Sequence, residues 1–318
     1  LVILYLGGIN YIEGTMDIGS IAQFFLYLNM LIWPFTSLGW ITMVVQRAEA
    51  SMTRINDFLN AETDVKEKQL VNHHVQGTIE FKHVSYVYEN TGIKALDNVS
   101  FKINKGETLA ILGKTGSGKS TIALLIARSL EPTSGEILID GKNIHDINVE
   151  SIREEIGYVP QEAFLFSDSL TNNILFGSDD EDEKTAEIFA KKAVVHDNID
   201  RFKERYDTVV GERGVTLSGG QKQRVSIARA LVNDPKILIF DDSLSAVDTE
   251  TEEQILNNLA SEIEGKTTII ITHRVSSAKR ADQILVLEDG RVLENGSNSE
   301  LLNKQGYYYD LYNKQLLD

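Results

Sequence analysis

Eight residues, Gly113-Lys114-Thr115-Gly116-Ser117-Gly118-Lys119-Ser120, follow the apolar run ETLAIL and lead through Thr121 into the helical TIALLIARSL. The spacing GxxxxGK[ST] between a strand and a helix is that of a loop that holds phosphates. Its glycines let backbone N–H groups fold around a β-phosphate at a helix N-terminus. Lys119 adds a point charge for the β and γ phosphates, and the Ser120 hydroxyl can ligate magnesium. Farther along, Lys236-Ile237-Leu238-Ile239-Phe240-Asp241-Asp242 reads as a buried strand ending in two carboxylates. Asp241 is the expected magnesium partner and Asp242 a second acid beside the phosphates. His273 closes the apolar run TTIIITH at the carboxyl edge of a strand, where open α/β sheets hold ligands. By itself it reads equally well as a structural histidine. Leu217-Ser218-Gly219-Gly220-Gln221 runs into KQRVSIARALV, a helix whose N-terminus presents a hydroxyl and glycine N–H groups.

The elements that must carry these residues can be read from the pattern around them. From Thr78, TIEFKHVSYVY and KALDNVSFKI are short strands with turn residues between, an antiparallel start. After Gly106 the order is strand, glycine loop, helix, and the buried strands KILIF and TTIIIT alternate with helical segments. That alternation predicts a parallel sheet flanked by helices, so the fold class over residues 78–318 is α/β with an added β portion.

Residues 1–60 are of another kind. No charged residue occurs between Asp17 and Arg47, and as a helix residues 18–46 exceed the roughly 30 Å hydrocarbon core of a bilayer. Pro34 lies mid-stretch, where a membrane helix can be kinked and still have its freed carbonyl satisfied. Arg47 and Arg54 place the following end in the cytosol and NYIEGTMDIGS outside. EASMTRINDFLN continues the helix to about residue 60, and the polar AETDVKEKQLVNHHVQG, residues 61–77, is a linker. His73 and His74 within it read as solvated linker, because two adjacent histidines without further ligands make no metal site. The first residue is Leu1, and Leu1–Ile9 is apolar but too short to cross a bilayer, so the natural polypeptide is expected to begin upstream.

Composition narrows the partners. A formal charge of −16 over 318 residues, with no clustered Lys/Arg face or tail, argues against nucleic acid. The acidic run 179–183 reads as a solvated loop or helix start. The absence of cysteine excludes disulfides and thiolate metal sites and suits a reducing compartment.

The ordered set of phosphate loop, LSGGQ, paired acids and downstream histidine resembles the ABC ATPase family over Val75 to Asp318. The resemblance implies a P-loop NTPase fold with a parallel core sheet, an antiparallel β subdomain and a helical subdomain, using ATP and Mg2+. It implies that Tyr88, in VSYVY, stacks on adenine. Gln161, in YVPQ, would touch magnesium and the attacking water and sense the transmembrane part. Asp242 and His273 would be catalytic, and Ser218, Gly219, Gly220 and Gln221 would complete the site of a second cassette. Ser245-Ala246-Val247-Asp248 would cross to that partner, and Gly211-Glu212-Arg213-Gly214 would face membrane-domain helices. Residues 1–60 resemble the close of an exporter transmembrane domain, with IWPF in the sixth helix and RAEASMTRI after it. An exporter half follows: multi-pass in the cell membrane with a cytoplasmic ATPase, paired with a second ABC half-transporter, moving an unidentified substrate. One residue departs from the family pattern. A glutamate usually follows the magnesium aspartate, and Asp242 is one methylene shorter, which implies slow hydrolysis and resembles the degenerate half of a heterodimeric exporter. A soluble ABC-type ATPase competes, against the uncharged helix. A mainly ATP-binding regulatory half competes too, with Asp242 for it and Lys119, Gln161 and His273 against it.

Overall fold

The computed structural model describes residues 1–61, 73–179, 182–211, 217–243 and 249–316. Glu212, Arg213 and Gly214, the segment Ser245 to Asp248, Asp180 and Glu181 of the acidic run, and most of the linker lie outside the described residues. The chain divides into two units, Leu1–Thr63 and Asp64–Asp318.

The first unit is a pair of helices, α1 (Val2–Ile12) and α2 (Ile18–Leu59). Asp17 caps α2 by accepting from the Ser20 N–H at 3.2 Å, which satisfies one of the donors a helix start leaves open. The two helices meet at Gly7, where a Cβ would stand 3.1 Å from the Ile21 side chain. The helix α2 runs unbroken through Pro34. Nearby hydroxyls fold back onto the backbone, Thr36 Oγ1 to the Ile32 carbonyl at 3.0 Å and Ser37 Oγ to the Pro34 carbonyl at 2.8 Å. Among the described residues α2 is the one helix long and apolar enough to cross a membrane. Its 42 residues extend roughly 60 Å, about twice the hydrocarbon thickness.

The second unit holds two sheets. An antiparallel sheet is built from β1 (Ile79–Tyr88), β2 (Ile93–Ile103), β4 (Ser134–Ile139) and β5 (Lys142–Asn143), in the order β2-β1-β4-β5. The larger sheet adds β3 (Thr108–Gly113), β6 (Ile156–Val159), β7 (Ile237–Asp241), β8 (Thr267–Ile271), β9 (Gln283–Glu288) and β10 (Arg291–Gly296). Its order is β10-β9-β3-β8-β7-β6, parallel except for β10. The strands β7 and β8 are buried along their whole length, as expected of parallel strands covered on both faces. The helices α3 (Lys119–Ile126), α4 (Val149–Arg153), α5 (Leu170–Ile174), α6 (Glu183–Lys192), α7 (His196–Asp200), α8 (Gly219–Leu231), α9 (Thr249–Ile263), α10 (Val275–Ala278), α11 (Asn298–Lys304) and α12 (Tyr307–Leu316) surround it. Asp182 begins α6 as its cap, accepting from Lys184 N at 3.0 Å, so the acidic run ends as a helix start. Three apolar clusters form the interior: one between the two sheets, one under α5, α6 and α8, and one under α10 to α12.

One expectation is corrected here. His73 is not solvated: its side chain is 15% exposed, with Nε2 3.3 Å from Asp140 Oδ2. The Asp140 carboxylate also accepts from the N–H groups of Gln76, Gly77 and Thr78, so it draws the end of the linker onto the antiparallel sheet. His74 remains largely exposed.

Candidate functional site

The strand β3 pairs with β8 on one side and β9 on the other, which aims its carboxyl end at the same edge as theirs. At that end the chain turns through the glycine loop into α3. Two of its glycines are required sterically: a Cβ on Gly113 would lie 2.4 Å from the Leu287 carbonyl, and one on Gly118, at φ +97, 2.3 Å from the Ala95 carbonyl. Both distances are shorter than any side chain tolerates, and Gly118 also needs the left-handed region that glycine enters freely. Lys119 is buried, and its Nζ donates to the carbonyls of Gly113 and Lys114, each at 2.9 Å. Burial holds its pKa below the usual lysine range, against the pull of the Asp242 and Asp241 carboxylates.

Ser120, one residue along α3, donates to Asp241 Oδ1 at 2.9 Å, and Tyr158 on β6 donates to Asp241 Oδ2 at 3.2 Å. Asp241 ends β7 and is buried; burial raises its pKa, and the two hydroxyl donors oppose this. Asp242 sits just past the strand at φ +46, its N–H donating to the Ile271 carbonyl of β8 at 2.9 Å. Burial raises its pKa also, opposed by His273, whose Nε2 is 3.9 Å from Asp242 Oδ2. His273 is two residues past the end of β8, so the parallel register of β7 and β8 sets the acid and the histidine side by side.

Gly118, Lys119, Ser120, Asp241, Asp242 and His273 line one open cleft of about 350 Å³, together with Tyr88, Ile93, Ala95, Thr115, Gly116, Thr121, Gln161 and Ile271, whereas Gly113 and Ser117 are not among its lining residues. Tyr88 ends β1, with its hydroxyl 3.3 Å from Thr121 Oγ1 and its ring edge-on to Tyr86. The Gln161 loop is held through its neighbour, since Gln223 of α8 donates to the Pro160 carbonyl at 2.9 Å. The rest of the expected set lies elsewhere. The Lys114 ammonium pairs with Glu288 at 3.0 Å. Ser218, Gly219, Gly220 and Gln221 are not among the lining residues; they open α8, where Ser218 Oγ accepts from Gln221 N–H at 3.3 Å and Gln221 Oε1 from Ser218 N–H at 2.9 Å. That reciprocal pair is a capping box. Sequence reasoning missed Ile93, Ala95 and Ile271 of the lining and Tyr158 behind Asp241; YVPQ contains Tyr158, but its meeting with Asp241 depends on β6 pairing with β7, some 80 positions away.

The comparisons decide what such a cleft belongs to. Residues 96–245 match the ABC transporter family. The chain contains an ABC transporter ATP-binding domain. It is 42% identical over 319 residues to the probable multidrug resistance ABC transporter ATP-binding/permease protein YheI of Bacillus subtilis, covering 98% of this chain and 54% of that protein. It is 39% identical to the multidrug resistance-like ATP-binding protein MdlA of Escherichia coli over 99% of this chain and 54% of that one. A bacterial Atm1-family ABC exporter, solved with ATP bound, superposes with a TM-score of 0.79 at 37% identity, over 95% of this chain and 53% of that chain. The chain thus spans about half the length of the curated relatives it matches.

An ABC ATP-binding domain implies ATPase activity, and ATP, generally with magnesium, as its ligand. The residues present fit both. Ser117 Oγ is buried in the glycine loop without a hydrogen-bond partner, and a Cβ on Gly116 would meet open space. Ser120 and Asp241 offer hard oxygen donors, which suit magnesium. A divalent cation there would offset the charge that burial makes costly on Asp241 and Asp242.

Proposed function

We propose that this chain powers export across a membrane by binding and hydrolysing ATP in a cassette that works paired with a second one. The observation carrying the reading is the division of the motifs. Tyr88, the glycine loop, Gln161, Asp241, Asp242 and His273 share one cleft, whereas Ser218 to Gln221 sit at a helix start outside it. A loop that presents N–H groups away from its own site is suited to the site of another copy. ATP held between the two cassettes would draw them together, and hydrolysis would release them. Magnesium would supply charge neutralisation at the phosphates. Among this chain's residues, Lys119 binds the β and γ phosphates, Tyr88 holds the base, Ser120 and Asp241 hold the metal, and Gln161, Asp242 and His273 surround the position of the attacking water. The helix α2 supports placing this cassette beside a bilayer, and the relatives named as multidrug resistance proteins support an exported substrate.

Asp242 favours one refinement, a slow site in a heterodimer. Its carboxylate stops one methylene short of a glutamate's reach, and an error of about 1 Å can cost on the order of a hundredfold in rate. In the transporter reconstituted with its natural partner, Gly219→Asp should abolish most steady-state ATPase, because it blocks the partner's site. His273→Ala should cost much less, because it damages the slow site. Near-total loss from both would establish two equivalent sites and remove the heterodimer reading; full activity in Gly219→Asp would remove the shared-site reading.

A further inference from the structure

His273 is 42% exposed, and its ring is neither enclosed nor held by a short hydrogen bond to Asp242, which lies 3.9 Å away. Its aim into the cleft therefore depends on the main chain that carries it. That main chain is gripped from outside the site. Gln315 Nε2 donates to the His273 carbonyl at 2.8 Å, and Gln315 Oε1 accepts from the Val275 N–H at 2.7 Å. One side-chain amide thus closes on both flanks of the turn between β8 and α10. The helix that presents it is itself anchored. The N–H groups of Tyr307 and Tyr308 each donate to the Glu294 carboxylate at 2.9 Å, and Tyr308 is fully buried with its hydroxyl 2.7 Å from Asn298 Oδ1. A second tie holds the same turn from another side: Arg274 and Ser277 both donate to the buried Glu252 of α9.

The geometry points to Gln315 as a positioning residue for hydrolysis, acting through His273 and resting on the assignment of His273 to the reaction. It touches neither nucleotide nor metal positions. Its amide has donor and acceptor where the turn offers acceptor and donor, so the two bonds form together and fix the peptide plane that follows His273. Removing them leaves the binding residues Tyr88, Lys119 and Ser120 where they are. The effect should fall on turnover and not on nucleotide affinity.

The test uses the reconstituted transporter with Gln315→Leu, which keeps an apolar stem of similar bulk and loses both bonds, and Gln315→Glu, which keeps the acceptor for Val275 and places a carboxylate against the His273 carbonyl. Three readouts are compared: MgATP affinity, single-turnover hydrolysis of ATP bound at this chain's own site, and backbone amide exchange over residues 272–279. Expected are an affinity within twofold of the parent, a turnover loss on the order of tenfold in both variants, and faster exchange in that segment. In a His273→Ala background, Gln315→Leu should cost nothing more. Unchanged turnover with His273→Ala costly, or an equal loss in the His273→Ala background, overturns the inference alone. A silent His273→Ala overturns the assignment of the histidine and the inference with it.

Discussion

The two units use the same apolar residue types to opposite ends. In α2, Leu26, Met30, Trp33 and Phe35 are all more than half exposed, and no residue of that helix is buried. In β3, Leu109 to Leu112 have no exposure at all. Removing apolar surface from water stabilises by about 25 cal/mol per Å², so the second unit contains the means of its own folding in water. Among the described residues of the first, Gly7 is the buried one, and the long apolar surface of α2 has the length and composition of a helix that crosses a bilayer. In lipid, helix association lacks the hydrophobic term and relies on close packing at small residues, and the approach of Ile21 to Gly7 would suit that setting.

The sharpest way to break this contrast is to make the same cut in both units. Ile111→Ala, at a fully buried position of β3, should lower the stability of the ATP-binding unit by about 2–5 kcal/mol in urea unfolding followed by a probe in that unit. Leu31→Ala, on the exposed surface of α2, should change the thermal stability of the detergent-solubilised protein by the equivalent of about 0.5 kcal/mol or less. Equal losses would mean that α2 is covered by protein. A smaller effect separates folding from chemistry within the second unit. Lys119→Ala should weaken MgATP binding by about 2–3 kcal/mol, the worth of charge-assisted hydrogen bonds, with unfolding behaviour close to the parent; titration with a fluorescent nucleotide reads it. Undiminished affinity would refute the phosphate-loop assignment. Smallest is Tyr88→Ala, which should cost about 1 kcal/mol of affinity through a lost stacking face. An affinity unchanged in that variant would place the base elsewhere than on β1.

What could be read in the sequence follows how local each signal is. The glycine loop and the buried runs at β7 and β8 each lie within a few residues, the uncharged stretch of α2 lies in one continuous segment, and each was legible. Sheet order was not, because Ile111 pairs with Ile271 across one ladder and with Leu285 across another. The strands β4, β9 and β10 carry no motif, and their hydrophobic pattern does not say which neighbour they join. The candidate site divides the same way. Lys119, Ser120 and Asp241 announce themselves by spacing, while Tyr158 and Gln315 act through contacts 83 and 42 positions apart. The misreading of His73 has that cause as well: in sequence it is one of two linker histidines, and only the fold brings Asp140 to it.

The backbone at Asp242 sets two demands against each other. At φ +46 the residue occupies the left-handed region, which aspartate enters more readily than glutamate because its short polar side chain bonds locally. A glutamate there would bring the longer reach that water activation asks for, at roughly 1 kcal/mol of conformational strain. On the role proposed for Asp242, turnover and fold would favour different acids at the same position. A cassette relieved of hydrolytic duty by a competent partner would be free to settle on the shorter one, the acid that costs less folding free energy at this φ.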